Sequence, residues 1–439
     1  MSTPKPRIAY LIADAQICGG VAVVCQHANR LSRRGFDVCI VSTAGAERID
    51  WFPGLRVPVH PLSRIPRGLD IGVATWWETA HDLHRMDIPR KCYFVQSDET
   101  RFYEKGRCEP IFARDTYRYD YEFFTEARWI REWLKREFGQ EARYVPNGID
   151  LDLFHEDVPL APRGERPRIL IEGPADMPSK GIAAAFAAAR GLGAEVWYVN
   201  YRGVPDPSWR PDRYFHCVPM EEMRGIYSSC DILLKLSTVE GASGPPLEMM
   251  ACGGTCVLSR VTGMDEAIRD GENALVVDAG DVAGASAAVK RLICDSSLRA
   301  RLSAAGRETA RGMDWERSID VLDEMFLSPP APRGMEPGAL RALLGENEAA
   351  LVDAYACINR RDQARAKEAA ALWRAHDDLA RERDARAREA GELRHELNSI
   401  RLSKQWKISS ALLDARGSFA GLLKLPARIM RIVLGRASG

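Results

Sequence analysis

One stretch decides the fold of this chain, residues 237–253, which read S-T-V-E-G-A-S-G-P-P-L-E-M-M-A-C-G. Before it, residues 231–236 form a short apolar run of strand length. After a glycine-containing loop, Pro245 and Pro246 precede a predicted helix at 247–252, and proline is tolerated in a first helical turn. This order of strand, loop and helix points free backbone N–H groups and a positive helix end at one place. The arrangement suits a phosphate.

Two carboxylates bracket this turn, Glu240 at the start of the loop and Glu248 inside the helix. An anion site does not need two acids beside it, but a sugar nucleotide does, because its hydroxyl groups need hydrogen-bond acceptors. Solvated glutamates on an ordinary strand–helix turn are the alternative, since chance matches to a pair with this spacing are common.

The pattern E-G-x-x-G-P-P-L-E-M-M-A-C-G at 240–253 resembles the donor-site signature of the retaining family-4 glycosyltransferases of the GT-B fold. The segment D-G-E-N-A-L-V-V at 270–277 continues the resemblance, and V-P-N-G-I-D at 145–150 is similar to the family's inter-domain linker. These segments keep the family's order and spacing over residues 7–326. The resemblance implies an α/β fold with two doubly wound parallel-sheet domains that face a cleft.

The resemblance also implies roles for individual residues. Glu240 would contact the sugar hydroxyls or the developing positive carbon, and Lys180 would meet the departing diphosphate. The family has an arginine five residues before this lysine, where this chain has Ala175. The donor would be a nucleoside diphosphate sugar, with no other cofactor, no metal and no assigned covalent nucleophile. The residues expected to bind the donor are Glu248, Gly19, Gly20, Gly241, Gly244 and Leu247.

The chain opens with a predicted buried strand at 7–13, the tripeptide C-G-G at 18–20 and a predicted helix at 21–32. This order is the start of a doubly wound sheet, in which ligands bind outside the carboxyl ends of the strands. Gly19 and Gly20 would let the backbone approach the donor, although a tight turn explains both glycines equally well.

A second resemblance concerns the acceptor side. The segment Y-F-V-Q-S-D-E-T-R-F-Y at 93–103 is similar to a motif of rhamnosyltransferases of bacterial surface glycans, usually Q-D-x-E-x-x-F-Y. Ser97 replaces the expected acid. The resemblance implies dTDP-L-rhamnose as donor and an aromatic cleft wall for a glycan acceptor, with core packing of the aromatic residues as the alternative. The matching residues are Gln96, Glu99, Phe102 and Tyr103.

Composition excludes several classes of protein. Lys+Arg and Asp+Glu are both 61, so no net charge favours nucleic acid. The 11 cysteines contain no C-x-x-C pair and no zinc pattern, which indicates reduced thiols and a cytoplasmic location. The D-x-D at 150–152 lies in the linker and predicts no metal site. Neither a signal peptide nor an apolar run of about 18 residues is recognisable.

The chain of 439 residues divides into six predicted segments. Two are α/β domains, the first on the acceptor side and the second for the nucleotide sugar, and a crossing helix and a Pro/Gly-rich linker follow. A C-terminal helical extension then forms either a weak coiled coil, which would make a homo-oligomer, or a solvated helix. The last segment is a basic amphipathic tail. In order, the segments are 1–160, 161–312, 313–327, 328–338, 339–402 and 403–439.

The tail at 403–439 carries seven basic residues against the single acid Asp414, with Trp406 and many aliphatic residues between them. Basic amphipathic segments lie in the interface of anionic membranes. We therefore expect peripheral binding to the inner face of the cell membrane, which suits a lipid-linked glycan acceptor. Packing on a partner or on the transferase core is the alternative.

Two rival functions follow from the same sequence. A non-hydrolysing sugar-nucleotide epimerase shares the fold but gives no reason for the basic tail. A degenerate transferase domain could act as a scaffold through its helical extension, and Ala175 and Ser97 favour that interpretation.

Overall fold

The computed structural model describes residues 4–103, 109–156, 159–162, 164, 166–330 and 392. The extension predicted at 339–402, apart from Glu392, and the tail at 403–439 lie outside the described residues. Their coiled-coil and membrane-binding properties stay predictions.

The first domain is a parallel sheet covered by helices on both faces. Its strands are β1 (Arg7–Ile12), β2 (Asp37–Ser42), β3 (Val59–Pro61), β4 (Ile71–Ala74), β5 (Arg90–Val95), β6 (Glu122–Thr125) and β7 (Ala142–Tyr144). Its helices are α1 (Gly19–Arg33), α2 (Trp77–His84), α3 (Glu109–Thr116) and α4 (Arg128–Phe138). The strand order is β3-β2-β1-β4-β5-β6-β7, and neighbouring strands are parallel.

The second domain repeats this construction. Its strands are β8 (Arg168–Glu172), β9 (Glu195–Asn200), β10 (Arg213–His216), β11 (Ile232–Lys235), β12 (Thr255–Arg260) and β13 (Leu275–Asp278). Its helices are α5 (Ile182–Ala189), α6 (Met220–Ser229), α7 (Gly244–Ala251), α8 (Val282–Cys294) and α9 (Ser296–Arg311), and α10 (Trp315–Leu327) follows them. The order is β10-β9-β8-β11-β12-β13, again parallel.

In both sheets the strand order reverses at the first strand. β1 lies between β2 and β4, and β8 lies between β9 and β11. The loops that follow the two diverging strands leave a crevice outside their carboxyl ends, where open α/β sheets bind ligands. Since parallel strands covered on both faces need apolar residues throughout, the runs that predicted them are almost wholly buried. The prediction of two doubly wound parallel-sheet domains is confirmed.

Helix α10 returns from the second domain to the first. Asp314 caps it by accepting from the N–H of Glu316 at 2.9 Å. Its apolar face, which includes Leu322 and Phe326, is buried in the core of the first domain. At its start, the Trp315 ring meets the buried His27 ring edge-on at 5.7 Å. The helix is therefore part of the first domain's core, although it follows the second domain in sequence.

The inter-domain linker that begins at 145–150 also contributes residues to a core outside its predicted domain. Ile149 and Phe154 are buried in the core of the second domain, although the sequence placed the domain boundary after residue 160. Apolar linker residues find their core through contacts that sequence periodicity does not reveal. Within the part of the chain that the structure describes, none of the helices combines the length and apolar character needed to cross a bilayer.

Candidate active site

A cleft of about 700 Å³ lies between the two sheets, and residues at the carboxyl ends of strands from both domains line it. The first domain contributes the loop after β1 and residues after β4, β5 and β6. The second contributes loops after β8, β9, β11 and β12. All eight predicted site residues line this cleft, and their roles stay predictions: Gly19, Gly20, Lys180, Glu240, Gly241, Gly244, Leu247 and Glu248.

Glu240 is buried and lies between two ammonium groups. Lys180, on the single-turn helix Pro178–Lys180, donates to Glu240 Oε2 at 2.9 Å. Lys235 Nζ, at the end of β11, lies 3.8 Å from Glu240 Oε1. Burial alone would raise the pKa of Glu240, but Lys180 and Lys235 outweigh it and hold the pKa below its usual value. Glu240 is therefore an ionised carboxylate inside the protein.

Sequence reasoning missed Lys235. Its ammonium donates to Glu172 Oε2 at 3.2 Å, and only 4% of its side chain is exposed. Burial would lower the pKa of Lys235, but Glu172 and Glu240 outweigh it and raise the pKa. The signal was present as a single lysine in the apolar run D-I-L-L-K-L, because a charge in a strand covered on both faces needs a buried partner.

Glu248 lies on α7, one turn inside the helix that follows the loop. Its Oε2 accepts from the hydroxyl of Tyr227 at 2.8 Å. Burial raises the pKa of Glu248 to about 7, although the Tyr227 hydrogen bond opposes this. Helix α7 begins at Gly244 and not near Leu247 as predicted, because both prolines fit within its first turn.

The loop at 240–244 is held by the first domain. The N–H of Ala242 donates to Glu126 Oε1 at 3.1 Å, and Asn147 donates to Glu126 Oε2 at 2.7 Å. Trp129 Nε1 donates to the carbonyl oxygen of Gly241 at 3.0 Å. Burial raises the pKa of Glu126 to about 8, against the effect of its hydrogen bonds from Asn147 and Ala242. Neither Glu126 nor Trp129 carried a recognisable sequence signal, since both act across the domain interface.

Two glycines permit this close approach. A Cβ atom at Gly241 would overlap the backbone oxygen of Gln96, and one at Gly263 would overlap the backbone oxygen of Gly241. Three backbone segments from both domains therefore meet without side chains between them.

The segment at 93–103 also lines the cleft. The Trp76 and Phe102 rings lie 5.9 Å apart, and both residues line the cleft. Glu99 also lines the cleft, but its carboxylate is buried and accepts from the N–H of Trp77 at 2.7 Å and from Tyr93 at 3.1 Å. Glu99 thus supports the wall.

Position 175 is an alanine, where the resemblance led us to expect an arginine. Near it, Arg202 pairs with Asp176 at 3.0 Å and lines the cleft. Among the described residues, the basic side chains of the cleft lining are Lys180, Arg202 and Lys235. Also within the described part, His, Cys, Asp and Glu residues form no group that could hold a metal ion, and no disulfide joins the cysteines there.

The sequence of this chain is similar to those of known glycosyltransferases. Residues 213–309 match the family described as glycosyl transferases group 1. The O-antigen biosynthesis protein RfbC of Myxococcus xanthus is 26% identical over 271 residues, which are 60% of this chain and 21% of that protein. The lipopolysaccharide core biosynthesis glycosyltransferase LpsE of Rhizobium meliloti (strain 1021) is 33% identical over 111 residues, 25% of this chain and 33% of that protein. The chain thus spans at most a third of either relative.

The fold is similar to that of HepE from Anabaena, whose structure was solved in complex with UDP-glucose. The TM-score is 0.60 at 13% identity, and the likeness covers 73% of this chain and 99% of that one. The chain therefore has the GT-B fold, and its residues 213–309 match the group 1 glycosyl transferases.

Proposed function

We propose that the chain is a glycosyltransferase that moves a sugar from a nucleoside diphosphate sugar to a glycan acceptor, with retention of configuration. The observation that carries this proposal is the pairing of Lys180 with Glu240 inside the cleft, beside the N-terminus of α7. A cation for a departing diphosphate and a carboxylate for a developing positive sugar are the two charges that glycosyl transfer needs.

The departing diphosphate would be bound by Lys180 and by the start of α7. Pro245 and Pro246 have no N–H, and the N–H of Ala242 is taken by Glu126, so the helix start offers the amides of Ser243 and Gly244. The positive end of the helix favours the same negative charge. Glu240 would face the sugar from the other end of the loop.

Unpartnered polar atoms around the loop support a sugar in this place. Four buried side-chain atoms of the cleft lining make no hydrogen bond to the residues that the structure describes: Ser97 Oγ, Asn147 Oδ1, Glu240 Oε1 and Ser243 Oγ. Buried polar atoms are nearly always hydrogen-bonded. Hydroxyl groups of a bound sugar would supply the missing partners.

The acceptor we propose is a lipid-linked glycan of a bacterial surface polysaccharide. The names of RfbC and LpsE support this class, and Trp76 with Phe102 offers aromatic surface for a sugar ring. We propose dTDP-L-rhamnose as the donor, because Gln96, Glu99, Phe102 and Tyr103 match the rhamnosyltransferase motif.

A donor screen tests the proposal. The chain is incubated with dTDP-L-rhamnose, UDP-glucose and other nucleotide sugars, and release of nucleoside diphosphate is measured with and without lipid-linked acceptor. We expect release from one donor, stimulated by acceptor, and NMR of the product should show the donor's anomeric configuration. A scaffold would release nothing from any donor, and an epimerase would change the donor without needing an acceptor.

We expect Glu248→Gln to raise donor KM by about 10- to 100-fold, because a hydrogen bond to a charged group contributes about 1.5–3 kcal/mol. The pKa of Glu248, raised to about 7, adds a pH dependence. Glu248 is proposed to accept hydrogen bonds from the ribose hydroxyls of the donor. Below that pH its carboxyl is protonated and accepts them less well, so donor KM should rise as pH falls. The variant should lack this rise. Its absence distinguishes titration of Glu248 from titration of Glu126, whose pKa is also raised. An unchanged donor KM would contradict the assignment.

The tail at 403–439 is proposed to bind the inner face of the membrane, where a lipid-linked acceptor would be found. Each basic residue near an anionic surface contributes about 1 kcal/mol. In flotation with anionic liposomes at low salt, we expect the full chain to float and a chain stopped at Leu402 to remain below. Equal flotation of both chains would exclude the tail as the anchor.

A further inference from the structure

Two lysines contact one carboxylate, and their surroundings differ. Lys180 lies on a short helix at the cleft, with 17% of its side chain exposed. Lys235 lies on β11 with 4% exposed, and Glu172 on the neighbouring strand β8 accepts its hydrogen bond at 3.2 Å. Of the two, only Lys180 has room to turn away from Glu240.

The proposed function requires Lys180 to do so. Its ammonium lies 2.9 Å from Glu240, but the departing diphosphate needs the same charge. Once Lys180 contacts phosphate oxygens, Glu240 loses its nearest cation at the moment when its negative charge has to stabilise the sugar.

The other groups around Glu240 determine whether its carboxylate stays charged after this loss. The titratable groups that act on Glu240 are Lys180, Lys235, Glu126 and Tyr201, and Glu172 and Glu248 act on Lys235 beside it. Burial favours protonation of Glu240, and Lys180, Lys235 and the Ser237 hydroxyl oppose it. With Lys180 on the diphosphate, Lys235 is the cation left beside the carboxylate.

We propose that Lys235 is a positioning residue that keeps Glu240 charged and in place while Lys180 is bound to the diphosphate. This inference rests on the proposed function. Glu172 anchors Lys235 in the strand and keeps its ammonium from following Lys180 toward the phosphate. One lysine is thus exchanged between carboxylate and diphosphate, and the other stays fixed.

Proton uptake on binding inorganic pyrophosphate tests the inference without knowledge of the sugar, base or acceptor. Calorimetry in two buffers of different ionisation enthalpy measures it. In the natural chain, Glu240 stays ionised when Lys180 moves to the anion, so binding should draw no proton to it. In Lys235→Met, the freed carboxylate should become protonated, and uptake should exceed that of the natural chain by up to one proton per site.

Steady-state kinetics give the second readout. The pH profile of kcat reports groups in the donor complex, and that of kcat/KM reports the free enzyme. For Lys235→Met we expect the acid limb of kcat to move upward by about 1 pH unit or more, as removal of a nearby opposite charge requires. The acid limb of kcat/KM should move less, because Lys180 still faces Glu240 in the free enzyme. A purely structural lysine would lower the amount of active protein without moving either limb.

Two further variants keep the test decisive. Lys235→Arg retains the charge and should restore both readouts. The double variant Glu172→Gln/Lys235→Met removes the buried pair together, so it replaces the single variant if that does not fold. Equal proton uptake in the natural and variant chains, or no pyrophosphate binding, would overturn the inference. Absence of donor turnover by the natural chain would instead overturn the proposed function, and the pyrophosphate result would still stand.

Discussion

Glu240→Gln should lower kcat for transfer by about 10²- to 10³-fold, the usual cost of removing one preorganised charge from an active site. Glutamine fills the same space but brings no negative charge to a sugar that becomes positive in the transition state. Donor KM should change little, because the charge matters most in the transition state. Steady-state kinetics with the donor found in the screen measure both constants.

The control for this variant is Glu308→Gln, an exposed glutamate on α9 that pairs only with Arg311 among the contacts that the structure describes. It should leave kcat unchanged. Glu240→Gln will also affect stability, since it removes the anion that lies between two lysines. Lys235 keeps Glu172, and Lys180 can reach solvent, so we expect a folded protein with a lower melting temperature. Full turnover by a folded Glu240→Gln chain would exclude the assigned role.

Gly241→Ala should lower kcat by about 10²-fold, the loss that a 1 Å displacement of reacting groups can cause. Its new methyl group would overlap the backbone oxygen of Gln96, which cannot move as a side chain could. The loop at 240–244 would shift away from the first domain, and Glu240 would shift with it. The hydrogen bond from Ala242 to Glu126 would weaken as a result.

Small-angle scattering checks this mechanism independently of activity. If the loop is pushed off the first domain, the two domains should separate and the radius of gyration should increase. The matched control is Gly164→Ala, where a Cβ atom meets nothing within 4 Å. A Gly241→Ala chain with unchanged kcat would show that the contact with Gln96 has no part in placing Glu240.

The sequence was sufficient to predict the fold because parallel strands covered on both faces need continuous apolar runs, which are visible in the local sequence. β1 begins at the predicted residue 7 and β11 lies within the predicted run 231–236, since apolar runs determine both. The loop at 240–244 was also recognisable, because its glycine, prolines and acids are close together in the chain. These features depend on neighbours in sequence.

The features that sequence did not reveal depend on distant residues. Glu126 meets Ala242 across 116 positions, and Trp129 meets Gly241 across 112. Nothing near residue 126 distinguishes a glutamate that holds a loop from one that is solvated. Lys235 is intermediate: its presence in an apolar strand was visible, but its partner Glu172 became apparent only once β8 and β11 were neighbours.

Helix α10 has a consequence for how the chain is made. All strands of the first sheet have been synthesised once residue 144 is added, yet the side chains that complete their core lie at 315–327. Until those residues emerge, the apolar surface that receives Phe326 is exposed to water. Domains usually finish folding in the order of their synthesis. Here the first domain has to wait for the whole second domain to be translated, so a chain released early, before residue 315, leaves both its first domain and its cleft unfinished.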